Sequence, residues 1–136
     1  MMHFAGLIVL TGVINPAQAN EISIPDVALN TVIREAVQKP VGPLTEQDLL
    51  SLTNLNASSH GIRSIDGLEA AQNLTSLNLS SNRLSIVSIT NGLTELNILD
   101  LSFNPLTTLG LSADMTKLTE LELSSDKLTS LTLPPG

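Results

Sequence analysis

From Leu52 onward the apolar residues return in a pattern every 22 positions. Blocks starting at Leu52, Leu74, Leu96 and Leu118 align without a gap. Their fourth position is Leu55, Leu77, Leu99 and Leu121, and their sixth is Ala57, Leu79, Leu101 and Leu123. The eleventh is Ile62, Leu84, Leu106 and Leu128, and the fourteenth is Ile65, Val87, Leu109 and Leu131. Alternation at positions four and six predicts a short strand with one face buried. Stacked copies would pair these strands side by side, about 4.8 Å apart. No single coil buries enough to be stable, so several must stack. Leu77, Leu79, Leu99 and Leu101 belong to interior coils and are expected to matter most, at ~1.5–3 kcal/mol for each buried side chain.

The ninth position is polar: His60, Asn82, Asn104 and Asp126. After each strand the chain must turn inward, which takes backbone donors and acceptors out of the strand ladder. An inward amide offers both a donor and an acceptor to satisfy them. These four residues are therefore expected to form a structural turn ladder. His60 and Asp126 fall at its ends, where the demand is looser.

Before the repeats, Leu29, Val32, Ile33, Ala36 and Val37 recur at helical spacing behind Asp26, whose carboxylate can cap the helix. Pro40 and Gly42 are expected to stop it. Thr45 can cap a second helical turn carrying Leu49, Leu50 and Leu52. Both are expected to lie over the first coil and shield its edge, since an open edge invites strand addition. The division is a helical cap over 20–51 and repeats over 52–136. Residues 1–19 read as a signal peptide. An apolar run from Phe4 to Ile14 is followed by Pro16 and the small-x-small pattern Ala17-Gln18-Ala19. The run is shorter than the roughly 20 residues of a membrane span. No Lys or Arg precedes Phe4, a departure from the usual signal. The mature chain is expected to be secreted or held at the cell surface, without an integral membrane span.

The pattern LxxLxLxxNxL resembles the leucine-rich repeat, and the 22-residue period resembles its bacterial internalin-like class. The stretch from Ile24-Pro25-Asp26 to Leu74 resembles the helical N-terminal cap of that family. The resemblance implies an α/β-type solenoid. It would be a short right-handed superhelix with a parallel concave sheet and a small cap, working as a binding module. One departure concerns the return path. Copies two to four carry a second apolar triplet, Leu84-Val87-Ile89, Leu106-Leu109-Leu111 and Leu128-Leu131-Leu133. Position 17 holds Leu68 in the first copy but Thr90, Ser112 and Pro134 later. Alternation there implies a flat coil with strand on both sides and little helix in the repeats.

Composition narrows the chemistry. Leu, Ser, Thr and Asn supply 65 of 136 residues, and the aromatics are Phe4 and Phe103 alone, so aliphatic side chains must fill the core. The net charge is −7 with scattered cations, which argues against nucleic acid or anionic lipid as a partner. Absence of Cys excludes disulfides and thiolate metal sites. Past the signal, only His60 could serve a Ser–His–Asp triad, and no nucleophile–base pair is visible. Neither enzymatic activity nor a cofactor is expected.

Outward strand positions should line the concave face. They are Asn54, Asn56 and Ser58; Ser76, Asn78 and Ser80; Ile98, Asp100 and Ser102; and Glu120, Glu122 and Ser124. Phe103 lies at a strand end. The row passes from amides and hydroxyls to carboxylates. Asp100, Glu120 and Glu122 could gather for acid–base work or Ca2+ binding. An open sheet without desolvation or a Gly-bent loop suits neither, so no metal is assigned. A protein or glycan ligand is expected on this face. The alternative is a spacer or stalk repeat of a larger multidomain protein. The fourth copy stops at Leu133-Pro134-Pro135-Gly136 with nothing to cover its leucines. A fragment of a longer protein, or edge-to-edge self-association, is the expectation there.

Overall fold

A computed structural model describes residues 21–134, so the signal-peptide reading of 1–19 lies outside the described residues. Two helices come first, α1 (Val27–Ala36) and α2 (Glu46–Leu50). Seven short strands follow: β1 (Asn54–Asn56), β2 (Ser76–Asn78), β3 (Ile86–Ile89), β4 (Ile98–Asp100), β5 (Thr108–Leu111), β6 (Glu120–Glu122) and β7 (Ser130–Thr132). They form two parallel sheets, β1-β2-β4-β6 and β3-β5-β7. The pairings Leu55–Leu77, Leu77–Leu99 and Leu99–Leu121 hold the 22-residue offset in the first sheet. Val87–Leu109 and Leu109–Leu131 hold it in the second. Each later coil is thus a flattened rung with one strand out and one strand back, as the second apolar triplet predicts. Threonine hydroxyls stitch the rungs further: Thr75 donates to the Thr53 carbonyl at 3.0 Å and Thr107 to the Ser85 carbonyl at 3.0 Å.

The first rung returns differently, through a single 3-10 turn at Leu68–Ala70. The later rungs place Ile89, Leu111 and Leu133 at the sixteenth position; the first places Gly67 there. Gly67 adopts φ +90, which swings the next residue, Leu68, fully inside. A Cβ on Gly67 would stand 2.2 Å from the Ser23 carbonyl oxygen, so the N-terminal segment can pass closely only because the residue is glycine.

One apolar core runs from Ile24 to Met115 through the cap and the first three rungs, with Leu118, Leu121, Leu123 and Leu128 of the fourth packed against it. Leu77, Leu79, Leu99 and Leu101 are fully buried between neighbours on both sides. In the fourth rung Leu121 and Leu123 are half-buried, while Leu131 and Leu133 are 47% and 50% exposed. Among the described residues that rung is stacked on one side only.

The helices lie against the first rung, and Asp26 joins the two. One carboxylate oxygen caps α1 by accepting from the Leu29 N–H at 3.0 Å. The other accepts from the N–H groups of Arg63 and Ser64 at 2.8 and 3.1 Å, on the return path of rung one. Burial pushes the Asp26 carboxyl up, but these N–H donors, with that of Ala28, outweigh it and hold the group below the ordinary carboxylate value. The charged form is therefore the stabilising one. Its contribution is present above the unfolded value near 3.8 and is lost as pH falls through the lower folded value. Asp26→Ala is expected to cost about 1–2 kcal/mol at neutral pH. The gap to the native chain should shrink below about pH 3, as measured by urea unfolding across that range.

Helix α1 stops at Ala36, short of the proline expected to end it. Gln38 already turns back with φ +56, and Arg34 reaches over the end to the carbonyls of Lys39 and Gly42 at 3.2 and 2.9 Å. As a result Ala36 is exposed and Val37 only half-buried. Helix α2 starts with reciprocal bonds between Thr45 and Asp48, and Lys39 holds Asp48 at 2.6 Å.

Candidate functional site

The outer face of the four-stranded sheet carries three rows. Register places Asn54, Ser76, Ile98 and Glu120 side by side, and Asn56, Asn78, Asp100 and Glu122 beside them. Ser58, Ser80, Ser102 and Ser124 follow two residues beyond the second row. Asn54, Asn56, Ile98, Glu120 and Glu122 are exposed, while Ser76, Asn78 and Asp100 are half-buried.

The second row is tied down at its oxygens. Asn56 Oδ1 accepts from the Ser58 N–H and hydroxyl at 3.2 and 2.8 Å. Asn78 Oδ1 accepts from the Ser80 N–H and hydroxyl at 2.9 and 2.7 Å, and Asp100 Oδ1 from the Ser102 N–H at 2.9 Å. These local bonds are the Asx-turn habit of Asn and Asp. With the oxygens occupied, the Nδ2 groups of Asn56 and Asn78 have no acceptor among the described residues. Rungs one and two therefore present N–H donors on this face, and rungs three and four present carboxylates.

Just past the serines every rung takes a left-handed turn, at Ser59, Ser81, Phe103 and Ser125, with φ of 63, 57, 58 and 64. Three rungs put a small serine at this costly backbone position. The third puts Phe103 there and leaves its ring 60% exposed. A left-handed turn costs an L-residue of this kind roughly 1–2 kcal/mol, and an exposed ring gives nothing back to the core. Ile98, 37% exposed on the same rung, adds a second apolar contact.

The turn ladder lies behind this face. Asn82 is buried: its Oδ1 accepts from the His60 and Ile62 N–H groups, each at 3.0 Å. Its Nδ2 donates to the carbonyls of Ala57, Leu79 and Ser80 at 2.8, 2.9 and 3.3 Å. One rung on, Asn104 Oδ1 accepts from the Leu84 N–H at 3.0 Å and its Nδ2 donates to the matching three carbonyls. His60 is exposed, with Nδ1 2.6 Å from the Ser58 carbonyl oxygen. Asp126 is half-buried and accepts from the Asn104 N–H at 3.0 Å.

Residues 70–85 and 93–113 match the Leucine Rich repeat family. An internalin, InlF, from Listeria monocytogenes is similar in structure, with a TM-score of 0.68 and 30% identity over 77% of this chain. The functional domain of InlJ from the same organism gives 0.72 and 29% over 80%. Internalin C2, again from Listeria monocytogenes, gives 0.63 and 25% over 82%. These are internalin-like leucine-rich repeats. The chain spans 32% of the InlF structure, 24% of the InlJ structure and 62% of the internalin C2 structure. A search of curated proteins gave no match.

In this internalin-like chain the charged groups on the strands of the four-stranded sheet are Asp100, Glu120 and Glu122, all acidic. The nearby Lys117 is engaged with Glu95 at 2.5 Å in an exposed pair, of a kind worth little to stability. The second sheet turns outward Ile86 and Ser88, Thr108 and Gly110, and Ser130 and Thr132, none of them charged. Among the described residues no group of three or more His, Asp or Glu could hold a metal, and no helix is long and apolar enough to cross a membrane.

The sequence reading missed the link between the second and third rows. Asn56-Ala57-Ser58 and Asn78-Leu79-Ser80 look like glycosylation sequons, but Asp100-Leu101-Ser102 keeps the same spacing without an amide. That substitution was the available sign of a side chain accepting from the serine two residues on. The left-handed turn was also missed, because three serines and a phenylalanine share no obvious backbone preference.

Proposed function

We propose that the chain is an exported, non-catalytic leucine-rich-repeat module. It binds a protein or glycan at the bacterial cell surface through the outer face of β1-β2-β4-β6. The observation that carries this reading is Phe103, a bulky exposed ring kept at a backbone position where the other rungs use serine. Solvent gains nothing from it, whereas recognition surfaces favour aromatic anchors. The amide donors on one side and carboxylates on the other suit an extended segment that offers carbonyl or hydroxyl oxygens next to a cation. The likeness to internalins and the apolar run before Ala19 support export. Residues 20–51 act in this reading as the cap, and those from Leu52 onward as the repeat array.

Screening the chain against a glycan array and a displayed peptide library would provide ligands for the test. Asp100→Lys combined with Glu120→Lys is expected to weaken captured ligands at least tenfold, about 1.4 kcal/mol, with a modest fall in melting temperature because Asp100 Oδ1 also holds the Ser102 N–H. Ser88→Lys and Ser130→Lys on the second sheet should leave binding intact. Unaltered binding by the Asp100 and Glu120 double variant would remove this face as the site. Expression in a bacterial host should yield an extracellular or surface chain beginning at Asn20; an intact cytoplasmic chain would contradict export.

A further inference from the structure

In rungs two and three the ninth position sits among carbonyl oxygens that need a donor. Asn104 Nδ2 fills that place in rung three, donating to the carbonyls of Leu79, Leu101 and Ser102 at 3.0, 2.7 and 3.3 Å. Asn82 does the same one register earlier. One register later the corresponding carbonyls are those of Leu101, Leu123 and Ser124, and the residue is Asp126. Its Oδ1 takes the role of the asparagine oxygen, accepting from the Asn104 N–H at 3.0 Å just as Asn82 Oδ1 accepts from the His60 N–H. Its Oδ2 is buried and has no hydrogen-bond partner. By register it falls at the corner where Asn82 and Asn104 carry an NH2 group. A carboxylate has only lone pairs to offer there, whereas a carboxylic acid has one O–H donor.

We infer that Asp126, in its protonated form, stands in for the ladder asparagine, so that the fourth rung is fastened in acid and loosened when the proton leaves. The proton passes between Oδ2 and solvent, and no other group need change. The surrounding charges agree. Burial raises the Asp126 carboxyl above its ordinary value; the Asn104 N–H opposes this, and the negative charge of Asp100 on β4 adds to the rise. Glu120 and Glu122 on β6, the strand of the same rung, are also acidic. Lys127, the adjacent cation, is exposed and makes no ion pair with Asp126. For an acid raised on folding, the stabilising contribution is fully present below the unfolded value near 3.8 and is lost as pH rises through the folded value. Rung four also carries Glu120 and Glu122, so the anchoring of the acidic end of the outer face would follow pH. The inference needs no ligand and stands apart from the binding function proposed above.

The test uses the full chain, its Asp126→Asn variant and, as a charge control, Asp114→Asn at an exposed carboxylate. The expected result has two parts. The Asp126 carboxyl carbon, followed by NMR, should titrate above the ordinary carboxylate range. Amide exchange at Leu101 and Phe103, which bond to the Glu122 and Ser124 carbonyls of rung four, should be several-fold slower in Asp126→Asn than in the native chain at about pH 7, and equal in the two at about pH 3.5. Asp114→Asn should match the native chain throughout. A carboxyl titrating at or below the ordinary value, or an Asp126→Asn variant that exchanges as fast as or faster than the native chain at neutral pH, would overturn the inference. So would protection of the native chain alone by millimolar calcium chloride at neutral pH, which would assign the oxygen cluster to a cation instead of a proton.

Discussion

Asn82→Ala is expected to destabilise the chain by at least about 3 kcal/mol, whereas Asn54→Ala should fall within about 0.5 kcal/mol of the native chain. The two asparagines differ only in where the rung points them. Asn82 is 7% exposed, and its side chain serves two backbone N–H groups and three carbonyls from two rungs. Removing it strands several of those groups away from water, at about 1–3 kcal/mol for each that stays unpaired. Asn54 stands in solvent, with one long bond of 3.3 Å to the neighbouring Thr53 hydroxyl. Urea unfolding of both variants decides the matter. Equal midpoints would mean that the inward and outward positions are wrongly assigned.

Leu99→Ala is the second large effect, expected at about 2–5 kcal/mol. Leu99 is fully buried and stacked between Leu77 and Leu121. Rungs on both sides hold its neighbours in place, so the cavity left by truncation cannot collapse. Leu131 is the contrast, with the same side chain at 47% exposure; Leu131→Ala should cost about 1 kcal/mol or less, since little apolar surface is returned to water. If the two leucines proved equally costly, the core would not be organised by rungs.

Much of this was readable in the residues. The gapless 22-residue return of leucines specifies the stack, and the second triplet in copies two to four specifies the strand on the way back. Both are local alternations, and a two-residue period leaves a strand little freedom over which side it buries. The 3-10 turn of rung one was less legible. It follows from a single Gly67 in place of an aliphatic residue and from the passage of Ser23 close above it, a contact made across the fold. The second role of Asp26 was hidden for a similar reason. Its capping of Leu29 is local, but Arg63 and Ser64 lie 37 and 38 residues away. On the candidate face, the rows of outward residues could be listed from the period alone. Which atoms of those residues are left free depended on bonds to serines that only the folded turn brings into reach.

The constant offset between neighbouring strands has a consequence for how such a surface can change. Every rung repeats the same backbone path, so its outward positions behave as cells of a grid. Exchanging Ile98 with Glu120 would slide an apolar cell by one strand spacing, about 4.8 Å, while the leucines behind keep their places. The lettering on the front can therefore be rewritten for a new partner without redrafting the scaffold that carries it.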